Sequence, residues 1–572
     1  MKPAVCLILL LTLALPATSA TYYVALTGSN QNSGTTPQSP WRTLQYALSL
    51  PAPTGPGDTI CLLEGNYLSD GSVTPEFSGT PDQVITVRPY GDAVVQISRF
   101  RFENNINYYR LHGLRLEYSD DSGIIIHSNH AENFLQVDSC HISYHDCNGI
   151  YAYGLPGSNL GSFTVEACTL RYNGQDETCG DRGTAIAIFT TRSRAFIRRN
   201  YIAHNEAKGI SWSGSSPQYG SGTVVEYNTI LDNKESGMDL AWIDSSVIRY
   251  NLLLDNGRRD DEGGGEYGDK GIQVFSGATH DTIRHNLIRS SGHYEFVPSA
   301  GPNYWYNNTF VRDAQSTFWW PMPQNVVDAA GILFSSITYS GGEFVNNIIV
   351  NFLSQTNKRY CLEISEWDDY DRQVWHHNLY YTVNDAGEAM PRAFKIYDPA
   401  QLATLHELIQ VGHERGSRWG NPKFTMDFHL QSDSPARDAG YDLGYAYKGK
   451  APDMGCFEFD EDYSQDRTLD QEIEPQPRQG ESASQPDERF LLNYPNPFNP
   501  VTTVRYHLDQ SGPVDLAVYD VSGREMARLV SGWREAGHHE VRFDASRLAS
   551  GLYVSRLNAE GRTYMTKMML VK

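Results

Sequence analysis

Cysteine is scarce in this chain, eight in 572 residues, and no CxxC or HExxH pattern occurs, so neither a structural zinc framework nor zincin chemistry has support. Long hydrophobic runs are nearly absent too. Apart from the stretch Val5 to Leu15 there is no run of roughly 18 apolar residues, and the sequence offers no candidate for a bilayer-spanning helix. Positive charge is in deficit: 46 Lys and Arg stand against 68 Asp and Glu, a net charge of -22. Such a surface repels phosphate and gains nothing from counterion release, which excludes nucleic acid as a partner. A polyanionic glycan would meet the same repulsion unless a divalent cation bridged it.

What is present begins with Lys2, the apolar run and the small residues Ala17-Thr18-Ser19-Ala20, which read as a secretory signal peptide over residues 1–20. The mature chain then starts at Thr21. Cys6 leaves with the signal, and the odd number of cysteines left behind implies at least one unpaired thiol.

The strongest pattern is an internal repeat of the form apolar-x-x-Asn-x-apolar. It runs through Val137–Ile142 and Val165–Leu170, with Cys140 and Cys168 in the Asn position, then Ile197–Ile202, Val225–Ile230, Ile248–Leu253, Ile283–Ile288, Trp305–Phe310, Phe344–Ile349 and Trp375–Tyr380. Most separations fall between roughly 22 and 35 residues, as one solenoid coil with a variable loop requires. Asn200, Asn228, Asn251, Asn286, Asn308, Asn347 and Asn378 are expected to stack as a ladder. Each side-chain amide would satisfy backbone groups at a bend. The flanking apolar residues then fill the core. Neighbouring strands lie roughly 4.8 Å apart, so Cys140 and Cys168 fit either a disulfide or a stack of free thiols. Two positions before the ladder, Asp138, Glu166, Arg198, Glu226, Arg249 and Arg284 read as an outer ion ladder with a structural role. The expected fold is therefore an all-β, right-handed parallel β-helix.

A further strand of each coil follows a glycine, as in Gly149-Ile-Tyr151-Ala-Tyr153, Gly209-Ile-Ser211-Trp212, Gly237-Met-Asp239-Leu240 and Gly271-Ile-Gln273-Val-Phe275. Alternation places Tyr151, Ser211, Asp239 and Gln273 outside, with Trp212 and Trp242 in the core or its turns. The loops before these strands carry ionisable groups, among them His145-Asp146, Asp176-Glu177, Glu206, Lys208, Lys234-Glu235, and the insertion from Asp255 to Lys270. Polar chemistry thus gathers along one face.

Several segments resemble known families. Tyr23-Val24, Gly28-Ser-Asn30, Gly34-Thr35, Trp41-Arg-Thr-Leu-Gln-Tyr-Ala47, Gly57-Asp-Thr-Ile60 and Gly65-Asn-Tyr67 resemble the N-terminal cap of secreted bacterial β-helix proteins. The resemblance implies a cap over about residues 21–100, with a short helix from Thr43 to Leu48 plugging the open end of the core. Ser434-Pro-Ala-Arg-Asp-Ala-Gly440 and Asp453-Met-Gly-Cys-Phe-Glu458 resemble the closing segment of such proteins, so the β-helix domain is expected to cover 21–460. Residues 461–488, acidic and rich in Gln, Pro and Ser, read as a flexible linker. Over 489–572, Tyr494-Pro-Asn-Pro-Phe-Asn-Pro500, Val514–Asp520, Gly523-Arg524, Leu548–Val554 and the terminal Lys567–Lys572 resemble the C-terminal sorting domain of type IX secretion. This implies a small Ig-like β-sandwich, outer-membrane secretion machinery as a partner, and a secreted or cell-surface location in a diderm bacterium.

Glu235-Ser-Gly-Met-Asp239-Leu-Ala-Trp242 is distantly similar to the calcium-binding strand of polysaccharide lyase family 9, with Ser236 in place of a third carboxylate and Gln273 where that family carries its lysine. Elimination from a uronate needs a cation on the sugar carboxylate and a base beside the acidified carbon. By that resemblance Glu235 and Asp239 are candidate calcium ligands through hard oxygens, with Asp260 and Asp261 of the long insertion as further candidates. Asp239, Lys270 and Lys208 are the catalytic candidates; Lys270 is the nearest base, with Lys208 or His204 as substitutes. Tyr151, Tyr153, Phe275 and Gln273 are candidate substrate contacts, and Phe189 and Trp319-Trp320 further stacking platforms. A glycoside hydrolase would instead need two facing carboxyl groups, for which Asp239 with Glu206 or Asp260 could serve. Otherwise the chain is a noncatalytic protein that binds a polysaccharide or cell-surface glycan, since fold alone never establishes catalysis.

Overall fold

The computed structural model describes residues 19–459 and 491–570, apart from 104–105, 129–133, 155–160, 176–178, 180–182, 190–192, 214–219, 258–269, 276, 291–293, 299–301, 313–328, 335–341, 353–358, 367–372, 384–387, 391–393, 399, 426–427, 495–499, 509–510, 521–523, 536, 549–550 and 560–561. The described residues divide into two compact units, 1–470 and 471–572.

The first unit is a parallel β-helix. One coil shows the plan: strand Ser193–Arg198, a bend, strand Tyr201–Ala203, a second bend, strand Lys208–Ser213, then a variable connection to the next coil. Equivalent strands pair in parallel into sheet I and sheet II, with 13 strands each among the described residues, and sheet III with nine. A four-stranded sheet built from Ala329–Phe334, Arg359–Glu366, Phe394–Asp398 and Ala400–Ala403 follows sheet III, its first strand packed alongside Tyr294–Pro298 and its last strand antiparallel.

Register follows the repeat. Ile142, Leu170, Ile202, Ile230, Leu253, Ile288, Phe310, Ile349 and Tyr380 are successive partners along sheet II, and all are buried. At the first bend, Asn200 donates its backbone N–H and its Nδ2 to Asn228 Oδ1 at 3.0 and 2.9 Å, and Nδ2 also reaches Val165 O at 2.9 Å. Asn228, Asn251, Asn286, Asn308 and Asn347 repeat the arrangement toward Asn378. The residue before each ladder position is left-handed: Arg199, Tyr227, Tyr250, His285, Asn307, Asn346 and His377 have φ of 53 to 61°. That conformation costs about 1–2 kcal/mol in a residue with a Cβ, and the ladder bonds offset it.

Cys140 and Cys168 continue this column as buried free thiols, with Cys140 N donating to Cys168 Sγ at 3.4 Å and Cys168 N to Asn200 Oδ1 at 2.9 Å. The small polar stack is therefore the form adopted. The disulfide lies elsewhere, between Cys147 and Cys179. The outer ion ladder forms pairwise: Arg110–Asp138 at 2.7 Å, Arg198–Glu166 at 2.8 Å and Arg249–Glu226 at 2.6 Å.

A second ladder went unread in the sequence. Asn173, Asn205, Asn233 and Asn256 stack at the bend between sheets II and III with 2.8–2.9 Å side-chain bonds. Its signal was the spacing of five that recurs as Asn200/Asn205, Asn228/Asn233 and Asn251/Asn256. His145 extends the column, with Nε2 donating to Leu116 O at 3.0 Å and Nδ1 beside Ser119 Oγ at 2.9 Å. Burial pushes its pKa down to about 3.

At the N-terminal end, helix Leu44–Ala47 is capped by Thr43, whose side chain accepts from Tyr46 N, and buries Leu44, Ala47 and Leu48 in the core. Strands Thr21–Val24 and Thr59–Leu62 already belong to sheet I, so the capping stretch supplies coils of its own. The segment resembling a closing motif lies along the side of the coil: Leu430, Ala436, Ala439, Met454, Cys456 and Phe457 form a separate apolar cluster with Leu287, Val311, Ile348, Val350 and Leu379 on the outer face of sheet II. This explains why those sheet residues are apolar on both faces.

The second unit is all antiparallel. Leu491–Tyr494, Val501–Leu508 and Gly537–Asp544 form one sheet, and Glu525–Arg534, Gly512–Asp520, Gly551–Ala559 and Arg562–Leu570 the other. Val504, Leu516, Val518, Leu557 and Met568 are among the residues that fill its core, as the sandwich expected from alternation requires.

Candidate functional site

Sheet III carries the candidate residues. Pairing sets Arg101, Ile125, Tyr151, Ala187, Ser211, Asp239 and Gln273 in one outward column. Beside it stand His127, Tyr153, Phe189 and Ser213. Ile150, Ile186, Ile210, Met238 and Ile272 alternate with these and are fully buried in the core.

Lys208 Nζ lies 2.8 Å from Asp239 Oδ2, bringing together two of the three catalytic candidates. The Asp239 side chain is only 10% exposed and that of Lys208 29%. Asp239 Oδ1 is buried without a hydrogen-bond partner, the kind of vacancy that buried polar groups rarely leave. In this pair Lys208 serves as a cation beside the carboxylate. Ser211, its register partner one coil back, is buried, and Gln273, one coil on, is half-buried.

The aromatic candidates meet on the N-terminal side of Asp239 on the same face. Tyr151 and Tyr153 lie 5.3 Å apart between ring centroids, Tyr151 and Phe189 5.7 Å, and Tyr153 stacks on His127 at 4.3 Å and 9°. Sequence reasoning missed His127 and Arg101: Gly123-Ile-Ile-Ile-His127 carries the same glycine-led pattern as Gly149-Ile-Tyr-Ala-Tyr153, whereas no glycine leads the strand of Arg101. Arg101 pairs with Glu103 at 2.7 Å and with Asp121 at 3.6 Å.

The remaining candidates occupy other positions on these coils. Glu235 precedes strand Ser236–Ala241, half-buried, its N–H donating to Ala207 O at 2.8 Å. Glu206 pairs with Lys234. His204 stacks on Tyr172 at 5.3 Å and bonds Asp232 at 3.1 Å, at the second bend. Lys270 opens the strand in register with Ser236, and Phe275 pairs with Ala241, but their side chains lie outside the described residues, as do Asp260, Asp261, Trp319 and Trp320.

Calcium takes roughly six to eight hard oxygens. Among the described residues no group of three or more His, Cys, Asp or Glu stands together to hold a metal, and one oxygen of Asp239 is already bonded to an ammonium. The described residues by themselves do not make a calcium site.

Comparison with known proteins agrees with this architecture. Residues 122–313 match the model of a right handed beta helix region, and residues 493–572 that of a secretion system C-terminal sorting domain. A stretch of 79 residues is 33% identical to a lacto-N-biosidase of Bifidobacterium longum, covering 14% of this chain and 5% of the relative's length. A solved lacto-N-biosidase from Eubacterium ramulus is 13% identical over 66% of this chain and 68% of its own, with a TM-score of 0.39. An alginate lyase from Paenibacillus is 19% identical over 46% of this chain and 90% of its own, with a TM-score of 0.33. At these TM-scores the likenesses say nothing about the reaction. The chain combines a right-handed parallel β-helix with a C-terminal sorting domain, which makes it a secreted or cell-surface protein.

Proposed function

We propose that the protein is an extracellular carbohydrate-active enzyme that cleaves a uronate-containing polysaccharide by elimination on the outer face of sheet III. The observation that carries this reading is the Lys208–Asp239 pair at 2.8 Å, with Asp239 Oδ1 unpartnered, on the face that also displays Tyr151 and Tyr153. Lys208, its side chain 29% exposed, can offset the charge of a sugar carboxylate, and the buried Asp239 carboxylate holds that cation in place. The base belongs to Lys270, whose backbone stands two coils from that of Lys208. Calcium enters as an assisting ion only with ligands beyond Asp239, for which Glu235, Asp260 and Asp261 are the candidates; it would neutralise the uronate and acidify the neighbouring proton.

Glycoside hydrolysis is the second reading, favoured by the stretch shared with a lacto-N-biosidase. Incubating the mature chain with uronate and neutral glycans, with calcium or with chelator, separates the alternatives. New ultraviolet absorbance from an unsaturated product supports elimination, and its loss with chelator supports calcium. Reducing ends without absorbance establish hydrolysis and overturn the lyase reading. Binding without either product leaves a glycan-binding surface protein and overturns catalysis.

A further inference from the structure

The outward side chains of sheet III change size abruptly along the coil axis. On the N-terminal side stand four rings, His127, Tyr151, Tyr153 and Phe189, in contact through the stacks described. The following positions of the same two columns shrink to Ala187 and Ser211 in one and Ser213 in the other, before Asp239 closes the step. Ala187 and Ser211 are only 1% and 5% exposed, so the notch between the rings and the Lys208–Asp239 pair is open to solvent at Ser213. Ring faces at one end, the Ser213 hydroxyl in the notch and a cation–carboxylate pair at the far end are the surface a sugar chain needs: apolar faces of pyranose rings stack on aromatics, and their hydroxyls bond to polar groups.

We infer that the His127, Tyr151, Tyr153 and Phe189 cluster is a sugar-stacking subsite, three coils from Asp239, so that the glycan lies parallel to the coil axis and spans several monosaccharides. Tyr151 to Asp239 is three strand spacings, roughly 14 Å, longer than a disaccharide covers. The subsite rests on the reading of sheet III as the glycan-cleaving face, but it makes a separate claim about length. Chains too short to reach from the Asp239 pair to the platform lose the stacking contribution.

The test measures calorimetric binding of oligogalacturonates and oligomannuronates, from dimer to hexamer, to the full mature chain carrying Lys270→Met, which removes the proposed base and leaves the Lys208–Asp239 pair in place. Affinity is expected to rise between dimer and tetramer and then to level off. Tyr153→Ala and Phe189→Ala are each expected to weaken tetramer and hexamer binding by about tenfold while leaving the dimer unchanged, with Tyr153→Phe retaining most of the affinity. Ser213→Tyr, which fills the notch and removes no ring, is expected to abolish the length dependence in a protein that still unfolds at the wild-type temperature. Length-independent binding, no binding of either series, or wild-type affinity in both alanine variants overturns the subsite. If the platform variants lose binding in a protein that cleaves no glycan, the subsite stands and the enzymatic reading fails. If the wild type cleaves and the platform variants bind like it, the subsite fails alone.

Discussion

The first bend and the outer face of sheet III are parts of the same coils, yet their polar groups are treated in opposite ways. At the bend, from Asn228 onward, the Oδ1 of each ladder Asn accepts twice from the coil before it, and the Nδ2 groups donate across coils. On sheet III, Asp239 keeps one buried oxygen unpaired and Lys208 stretches along the strand to meet the other. The first bend saturates its polar groups through the repeat itself, whereas on sheet III the Lys208–Asp239 pair departs from the repeat and leaves one carboxylate oxygen unmatched.

The contrast breaks most visibly in the ladder. Asn251→Leu leaves Asn228 without its acceptor for two bonds and Val225 O without a donor, inside a core that water does not reach. We expect a loss on the order of 3–4 kcal/mol, read as a lowered midpoint in urea unfolding of the β-helix. Asp239→Asn is expected to do the reverse: stability within about 1 kcal/mol of wild type, and glycan cleavage down by roughly a hundredfold or more. If both variants mainly destabilise, the division between saturated bend and unsaturated face is wrong.

The third bend, between sheets III and I, sharpens the comparison because one of its members is an acid. Ser246 N donates to Asp281 Oδ1 at 2.9 Å and Asp281 N to Asn303 Oδ1 at 2.9 Å, while Asp281 Oδ2 is buried without a partner. Burial holds the Asp281 pKa well above the usual carboxylate value. The folded state then keeps a proton that the unfolded chain loses above the ordinary value, so stability falls as pH rises through that window. Asp281→Asn keeps the Oδ1 acceptor and supplies the amide that the other ladder residues use. We expect it to stabilise the protein at neutral pH by about 1–3 kcal/mol, measured as a rise in thermal midpoint that disappears in acid. His145 acts with the opposite sign. Its folded pKa of about 3 lies below the unfolded value of 6.5, so the unfolded state binds the extra proton between them and stability is lost as pH falls through that range. The slope is at most about 1.4 kcal/mol per pH unit, and His145→Asn, restoring the residue found at Asn173 and Asn205, should flatten it.

Much of this was readable from the chain alone, and the reason is periodicity. Val225, Asn228 and Ile230 recur in kind from coil to coil, so the core columns, the Asn ladder and the outward placement of Asp239 could all be placed before any coordinates. The second Asn ladder was equally periodic but hidden, because its spacing of five from the first looks like loop composition until both bends are assumed. The disulfide was not readable: Cys179 sits in a variable excursion after Asn173, and only the return of the chain toward the preceding coil brings it to Cys147. The Lys208–Asp239 contact likewise needs the stacking of coils, since the pair is 31 positions apart, counted from 208 to 239.

The smallest expected effect tests whether the outer face of sheet I differs from that of sheet III. Arg198 and Glu166 meet at 2.8 Å with side chains 37% and 22% exposed, Glu166 also takes Arg199 at 3.2 Å, and the pair lies on neighbouring strands in direct register. Solvent and salt reach these groups, and ordering two long side chains offsets part of their attraction. A double-mutant cycle with Arg198→Ala and Glu166→Ala is expected to give a coupling of only about 0.5 kcal/mol, shrinking as salt is added, with no change in glycan binding. The same cycle on Lys208 and Asp239 should give a larger, less salt-sensitive coupling, because Asp239 is only 10% exposed, together with a loss of cleavage that the equally covered Arg249–Glu226 rung, 33% and 11% exposed, does not show. A coupling without that loss would mean that Lys208–Asp239 is one more rung of a structural ion ladder, and chemistry on sheet III would lose the observation that carries it.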